Sequence, residues 1–294
     1  MREIVLPTGE APKRLESFLK KQFPIGYIRK LFRKNGVRLN GRHAKADDLI
    51  RGGDRIMLYV DFVARPKTHT ETRAAGEFNI VYEDDALLVL NKPAGLAVHE
   101  GKTVRKRQSL LGILASAYRA RGVKPQLVHR LDKDTSGLLL IAKNPATAKE
   151  LEQRFETGAV DKEYLSLVVG RLAENQGKID SPLPGRNGTA VRALTRYRVV
   201  KRFGEFTFVR VAIETGRLHQ IRLHFAKLGH PVVMDDQHGD FGFNKRFRRE
   251  FGLKRQFLHA EKLKLDYAGK AREWCAPLPR DLERTLRLLA EKFG

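Results

Sequence analysis

The residues that could carry chemistry cluster in one short segment, HRLDKDTSG at 129–137, which leads into an apolar stretch. Arg130 stands two positions before Asp132, so both side chains point to the same side if the backbone is extended. A cation beside a carboxylate favours the ionised form that a nucleophile or a general base requires. Asp132 could instead bond to the backbone amides of an Asx turn. Because Asp134 and Ser136 are available for that turn, we interpret Asp132 as a candidate catalytic carboxylate.

The charge of the whole chain indicates what kind of partner this carboxylate would meet. The 294 residues carry a net charge of +23, and 41% of them are hydrophobic, which is enough to build a core. Such an excess of positive charge favours a polyanionic partner, most often nucleic acid, over a merely soluble basic surface. The sequence contains no apolar run of the roughly 20 residues that a bilayer requires and no apolar signal core at its start. We therefore predict a cytoplasmic protein that binds nucleic acid and no membrane.

A second segment, 215–233, is dense with hydrogen-bond donors. Its apolar residues are expected on one face of a helix that stops at Gly229, and they are Leu218, Ile221, Phe225 and Leu228. Its donors are Arg217, His219, Gln220, Arg222 and His224. An anionic ligand would be well received at the start of such a helix. A metal site on the histidines is the other interpretation, but no i, i+4 pair and no nearby cysteine supports it, so we predict no metal.

The segment at 61–77 lacks apolar periodicity and is predicted to be a linker. It separates a small module at 1–60 from a body at 78–294. In the module, two amphipathic helices are expected, and the second carries basic residues between its apolar positions, namely Arg29, Lys30, Arg33 and Lys34. Asn35 and Gly36 end it. A charge run of this kind is usually a solvated helix face.

The body contains clear helix and strand patterns. A helix is expected over 110–120, and another begins at Pro145 with Asn144 as its N-cap. The segment at 161–170 alternates like a strand and carries Tyr164. A tyrosine on a strand is most often a core residue, but one that borders a basic site can stack on a base.

Three segments together resemble the RluA-type pseudouridine synthases: HRLDKDTSGLLL, KEYLSLVVG and TGRLHQIRLHFAKLGHPVV, with NKPAGLAVH before them. The resemblance runs from about residue 78 to the C-terminus. It implies that Asp132 is the catalytic aspartate, that Arg130 fills the space left by a flipped base, that Tyr164 stacks on that base, and that Arg222 pairs with the aspartate. We accordingly predict an α+β fold with a central, mostly antiparallel sheet.

The N-terminal module resembles the small alpha-L RNA-binding domain first seen in a small-subunit ribosomal protein. The elements that carry this resemblance are RLESFLKK, the basic helix, NGVRLNG and GGDRI, in that order. It implies contacts with RNA phosphates from Arg29, Lys30, Arg33, Lys34 and Arg38.

The resemblance implies isomerisation of uridine to pseudouridine in RNA, most of all in 23S large-subunit ribosomal RNA, by a monomer without a cofactor. Asp132 would act as a nucleophile or as the base that removes a ribose proton, and both routes stay open. A noncatalytic RNA-binding ribosome assembly factor is the alternative, although such a factor would not need Asp132 and its companions. A glycoside hydrolase would need two carboxylates framing a sugar, and Asp132 with Asp134 is a poor pair for that purpose.

Two features depart from the family pattern or add to it. The family often has a tyrosine before the glycine that follows GHPVVMDD, where this chain has His238 before Gly239. We expect His238 to shape a loop rather than to take part in the chemistry. The segment at 244–255 is strongly basic and is either a second phosphate-contacting surface or a solvated helix face.

Overall fold

The computed structural model describes residues 2–9, 11–23, 27–28, 31–32, 35–59, 78–101, 104–185 and 187–294. They fall into two compact units, 1–69 and 70–294. The predicted linker at 61–77 lies outside the described residues. No described helix is both long enough and apolar enough to cross a membrane.

The first unit is built on a four-stranded antiparallel sheet with the order β1-β6-β3-β4 and a two-stranded ladder of β2 and β5. Its elements are β1 Arg2–Val5, β2 Lys13–Arg14, α1 Leu15–Gln22, β3 Val37–Leu39, β4 Arg42–His43, β5 Leu49–Ile50 and β6 Arg55–Leu58. The apolar positions predicted for the two helices enter one core with the sheet. Asn35 takes a left-handed conformation at the end of the second apolar set, as the sequence predicts.

The second unit contains a ten-stranded sheet with the path β12-β15-β16-β11-β17-β10-β8-β7, while β18 pairs with β17 and β9 with β10. All of its described pairings are antiparallel except that of β10 with β17. The strands are β7 Asn79–Glu83, β8 Leu87–Lys92, β9 Gln126–Leu127, β10 Ser136–Ala142, β11 Asp161–Val169, β12 Gln176–Asp180, β13 Leu183–Pro184, β14 Ala190–Val191, β15 Leu194–Phe203, β16 Phe206–Ile213, β17 Leu258–Tyr267 and β18 Lys270–Cys275. The predicted α+β fold with a mostly antiparallel central sheet is confirmed.

Helices cover both faces of this sheet. They are α2 Leu110–Ala117, α3 Pro145–Glu156, α4 Gln220–Lys227, α5 Phe241–Phe251 and α6 Arg280–Phe293, with short 3-10 turns at Lys106–Gln108 and Arg119–Arg121. The central strand β10 is buried along its whole length because it packs against apolar side chains on both sides. Leu139 and Ile141 enter one core, and Leu138 and Leu140 enter the other.

The parallel pairing of β10 with β17 requires a glycine at its start. Gly137 has a φ of +113°, and a Cβ at this position would lie 2.1 Å from the carbonyl oxygen of Ala260. Only a residue without a side chain lets the two backbones approach this closely. The glycine of HRLDKDTSG therefore fixes where β10 begins, and the loop with Asp132 lies directly before it.

The starts of two helices show where local sequence patterns succeed and where they fail. The Asn144 side chain accepts a hydrogen bond from the Thr147 amide at 2.9 Å, which confirms the predicted N-cap of α3. In contrast, α4 begins only at Gln220, since His219 takes a left-handed φ of 52° before it. Leu218 thus precedes the helix, and Leu228 follows its last residue. They are 51% and 44% exposed, and their predicted place on the apolar face is wrong.

The basic segment at 244–255 includes most of α5. Asn244, Phe247 and Phe251 on one face of this helix are buried. The other face is exposed and basic, with Lys245, Arg246, Arg248 and Arg249. This basic segment therefore contributes to the core as well as to a charged surface.

Candidate active site

Asp132 lies in a loop that is fastened on both sides. Leu131 is buried in the core beside it, and the Thr135 amide donates to the Asp132 carbonyl oxygen at 3.1 Å, which closes a turn. Lys92, the last residue of β8, connects this turn to the loop that follows β8. Its Nζ donates to the carbonyl oxygens of Pro93, Leu96 and Lys133 at 2.9, 3.0 and 3.1 Å.

Lys92 is fully buried, and this burial has an electrostatic effect. Burial lowers the pKa of Lys92 from 10.5 to about 7, although the charges of Asp134 and Asp132 act in the opposite direction. Lys92 was not among the predicted site residues, because NKPAG alone is a common strand-to-loop pattern. The resemblance of NKPAGLAVH to the family was the only signal that could have drawn attention to it.

Arg222 on α4 connects two carboxylates. Its Nη1 donates to Oδ2 of Asp132 at 3.0 Å, and its Nε and Nη2 donate to Oδ2 and Oδ1 of Asp235 at 2.8 and 2.7 Å. Arg222 is only 5% exposed, so its charge needs these partners. Burial alone would lower the pKa of Arg222, but the two carboxylates raise it above its ordinary value. Only arginine has donors arranged to hold two carboxylates at once.

Asp235 is the second carboxylate partner of Arg222, and it was not among the predicted site residues. Its side chain is fully buried, and it also accepts from the amides of Gln237 and His238. Burial would raise the pKa of Asp235, but the hydrogen bonds of Arg222 and of these amides lower it below its ordinary value. The first aspartate of GHPVVMDD was visible in the sequence, although nothing local indicates that it is buried.

The loop that carries Asp235 is held from α5. The buried Asn244 accepts from the Met234 amide at 3.1 Å and donates to the Asp235 carbonyl oxygen at 2.8 Å. Met234 has a φ of 64°, which is unfavourable for a bulky side chain. Strain of this kind persists only where the surrounding contacts determine the backbone, and it is concentrated at functional sites.

A pocket with a free volume of about 60 Å³ opens beside Asp132, and Tyr164, Arg217, His219 and Arg222 also line it. A neighbouring pocket of about 420 Å³ shares Asp132, His219 and Arg222 with it. Asp132 therefore lies in the wall that the two pockets have in common.

Tyr164 lies on β11 and is only 7% exposed. Burial raises the pKa of Tyr164, and the charge of Asp132 raises it further, so the phenol stays neutral. Tyr164 belongs to the hydrophobic core and also lines the pocket. A neutral aromatic ring in this wall can stack on a base.

Arg130 is exposed and lines the mouth of both pockets. Within the described residues, no hydrogen bond or ion pair joins Arg130 to Asp132. The cation that contacts the Asp132 carboxylate is Arg222, from a position 90 residues further along the chain. Ser136 does not serve the turn either, since its hydroxyl contacts Nδ1 of His259 at 3.0 Å.

The histidines of the donor-rich segment lie apart and have different partners. Nδ1 of His219 contacts Nε2 of His238 at 3.1 Å. His224 contacts the Thr195 hydroxyl at 2.8 Å, and His230 contacts the Val169 carbonyl oxygen at 2.9 Å. In the part of the chain that the structure describes, no group of three or more histidine, cysteine or acidic residues could hold a metal ion.

The sequence matches a known protein family and several named proteins. The sequence model of the family described as RNA pseudouridylate synthase matches residues 86–227. A protein from Vibrio cholerae named ribosomal large subunit pseudouridine synthase C is 35% identical over 94% of this chain and 93% of its own length. One of the same name from Escherichia coli is 34% identical over 97% and 96% of the two chains. The chain belongs to the RNA pseudouridylate synthase family.

A solved structure of human RNA pseudouridylate synthase domain containing 4 agrees with this assignment at the level of the fold. Its TM-score is 0.63 at 24% identity, and the match covers 72% of this chain and 93% of the human one. Family membership confirms the prediction of an isomerase that acts on uridine in RNA. The matched segment of this synthase includes Asp132, Tyr164 and Arg222.

The basic residues predicted to contact RNA are described only in part. Arg29, Lys30, Arg33 and Lys34 lie outside the described residues of the synthase. Arg38 lies on β3, is half-buried, and has its guanidinium 5.1 Å from the centre of the Tyr59 ring.

We predict that replacing Asp235 with asparagine slows catalysis. Asp235→Asn removes the charge that orients Arg222 and introduces an amide donor facing the guanidinium. A single-turnover rate about 10- to 100-fold lower is expected, since hydrogen bonds to charged groups are worth about 1.5 to 3 kcal/mol. The thermal stability should fall as well. Asp236→Asn, at the exposed neighbouring position, is the control and should stay within about twofold of wild type. Equal rates for both variants would contradict the role of Asp235.

A second prediction concerns Lys92 and pH. The pKa of Lys92 is about 7 in the folded protein against an ordinary 10.5, so between these values the unfolded chain binds more protons than the folded one. Stability should therefore increase as the pH rises from 7 towards 9, by up to about 1.4 kcal/mol per pH unit from this residue. Lys92→Met should flatten that slope, and Lys124→Met on the surface should not. Denaturant unfolding at several pH values measures it, and a slope that Lys92→Met leaves unchanged would argue against this pKa.

Proposed function

We propose that this protein converts specific uridines of large-subunit ribosomal RNA to pseudouridine, with Asp132 as the reacting carboxylate. The observation that carries the proposal is the Asp132 carboxylate, held at 3.0 Å by Arg222 in the wall of a pocket that Tyr164 also lines. The choice of ribosomal RNA rests on the relatives, two of which are named ribosomal large subunit pseudouridine synthase C.

The reaction needs no cofactor because it balances within the substrate. The bond between N1 of uracil and C1′ of the ribose breaks, and a bond between C5 and C1′ forms. The proton on C5 leaves, and N1 gains one, so no electron pair is gained or lost overall. Asp132 serves as the nucleophile at C1′ or as the base that removes a ribose proton, and one carboxylate is enough for either route.

The proposed roles of the neighbouring residues follow from their exposure. Tyr164 is buried in the pocket wall, where it holds the extruded uracil by stacking. Arg130 is exposed at the mouth, where it can enter the space that the base leaves in the RNA. Arg222 is buried and holds the carboxylate in position rather than meeting the RNA backbone.

RNA binding is proposed to involve two further surfaces. The first is the N-terminal unit, as an alpha-L RNA-binding domain that contacts phosphates through Arg29, Lys30, Arg33, Lys34 and Arg38. The second is the exposed basic face of α5. The net charge of +23 supports both, because a polyanion is the partner that such a charge attracts. With ribosomal RNA as its substrate, we propose that the enzyme acts in the cytoplasm, as a monomer.

The central prediction is that Asp132→Asn abolishes pseudouridine formation while RNA binding persists. Wild type and variant are incubated with 23S RNA and with large ribosomal subunits, and pseudouridine is mapped chemically. Asp134→Asn is the matched control, since Asp134 is an exposed aspartate of the same loop. Equal modification by wild type and Asp132→Asn would overturn the mechanism. No modification of any ribosomal or transfer RNA by wild type would favour a noncatalytic RNA-binding assembly factor.

A further prediction tests the N-terminal unit. Replacing Arg29, Lys30, Arg33, Lys34 and Arg38 with glutamine should weaken RNA binding and flatten its dependence on salt concentration. Each phosphate that the protein no longer neutralises reduces the slope of log K against log salt by about 0.7 to 0.9. Lys264→Gln with Lys270→Gln, on the β17–β18 hairpin, removes two charges instead of five and measures the change in slope per charge removed elsewhere. A slope unchanged by the five substitutions would contradict the proposed RNA-binding role.

A further inference from the structure

Two histidines extend the contacts of Asp132 on the side away from Arg222. Nε2 of His219 lies 3.6 Å from Oδ1 of Asp132, and Nδ1 of the same ring lies 3.1 Å from Nε2 of His238. His238 was expected only to shape a loop. The structure places it one residue away from the reacting carboxylate.

These contacts close a ring of five residues. Asp132 contacts Arg222, Arg222 holds Asp235, Asp235 accepts from the His238 amide at 3.0 Å, and the two imidazoles lead back to Asp132. Both oxygens of Asp132 thus face a nitrogen of this ring, Oδ2 facing Arg222 and Oδ1 facing His219. The position of Asp132 depends on both halves of the ring.

The proton positions in the ring follow from what each group can donate. A neutral imidazole has one N–H and one bare nitrogen, while a carboxylate only accepts. If Nδ1 of His219 carried the proton, its bare Nε2 would face Asp132, lone pair against lone pair. If Nε2 carries the proton, it faces Asp132 as a donor, and Nδ1 then needs a donor in turn. Nε2 of His238 is the atom placed to provide one.

Burial of His219 favours the neutral form of its imidazole. Burial lowers the pKa of His219, and the charges of Arg222 and His238 lower it further. The charges of Asp132 and Asp235 raise it, but they do not outweigh the other effects. At neutral pH, the His219 imidazole therefore carries one N–H, and its tautomer decides whether Nδ1 or Nε2 donates.

We propose that His238 is a positioning residue that donates from Nε2 to Nδ1 of His219 and thereby holds His219 in the tautomer that presents Nε2–H to Oδ1 of Asp132. The catalytic part of this inference rests on the proposed function, and the tautomer does not. The distance of 3.6 Å is longer than a hydrogen bond, and such contacts often tighten only when the substrate is bound.

The backbone supports a built arrangement rather than an accidental contact. His219 has a φ of 52°, and Met234, next to Asp235, has a φ of 64°. Non-glycine residues seldom adopt left-handed conformations, and at Met234 such a conformation persists where other contacts compensate for it. The two left-handed residues lie at or beside two members of the ring, His219 directly before the first residue of α4 and Met234 directly before Asp235.

The first experiment reads the tautomer directly, without any RNA. Two-bond ¹H–¹⁵N spectra of the full-length, ¹⁵N-labelled protein distinguish Nε2–H from Nδ1–H rings, and the loss of signals in His219→Gln assigns His219. We expect the Nε2–H form in wild type, a mixture or the Nδ1–H form in His238→Phe, and the Nε2–H form again in His238→Gln, whose amide can donate. An Nδ1–H ring in wild type, or an unchanged tautomer in His238→Phe, would overturn the proposal.

The second experiment measures the consequence for the reaction. His238→Phe should lower the single-turnover rate about tenfold at unchanged RNA affinity, and His238→Gln should recover it to within about threefold. His230→Gln is the control for replacing a half-buried histidine that does not belong to the ring. A His238→Phe rate equal to wild type would sink the proposal. Failure of the proposed function looks different, because wild type itself would then form no pseudouridine while the tautomer result would still stand.

Discussion

The buried guanidinium of Arg222 is the group on which the site depends. Removing a charge from water is costly unless it is paired, and here three of its nitrogens bond to Asp132 and Asp235. The three residues come from the loop before β10, from α4 and from the loop before α5. A buried arginine between two carboxylates therefore joins segments that the sheet alone would not hold in register. If any of the three were missing, the remaining charges would lie buried and poorly compensated.

The sheet provides the other half of the positioning. Gly137 lets β10 approach β17 closely, and Lys92 at the end of β8 donates to the Lys133 carbonyl oxygen in the loop of Asp132 as well as to those of Pro93 and Leu96 in its own loop. The loop itself has little regular structure, so these contacts replace the ladder that a strand would supply. The backbone of the Asp132 loop is thus positioned by Gly137 and Lys92, and the Asp132 carboxylate is positioned by Arg222. A rigid support of this kind allows a single carboxylate to be aimed at one atom of a substrate.

The sequence predicted features that depend on local rules and missed those that depend on distant contacts. Asn144 caps α3 and the strand with Tyr164 forms as expected, because capping and alternation act over a few residues. The pairing of Asp132 with Arg222 was expected from the family resemblance alone, because the local spacing offered only Arg130 as a nearby cation. Asp235 and Lys92 were missed because their burial results from tertiary packing. Leu218 was misplaced since the left-handed backbone of His219 delays the start of α4.

The site also separates its charges by depth, which explains how one carboxylate can work in a chain of net charge +23. Arg222 is buried and is matched by Asp132 and Asp235, so its charge is committed within the protein. Arg130 and Arg217 are exposed at the pocket rim and remain able to meet phosphates. Salt screens exposed charges strongly and buried pairs much less. The ion pairs that orient Asp132 are therefore less sensitive to salt than the exposed charges at the pocket rim.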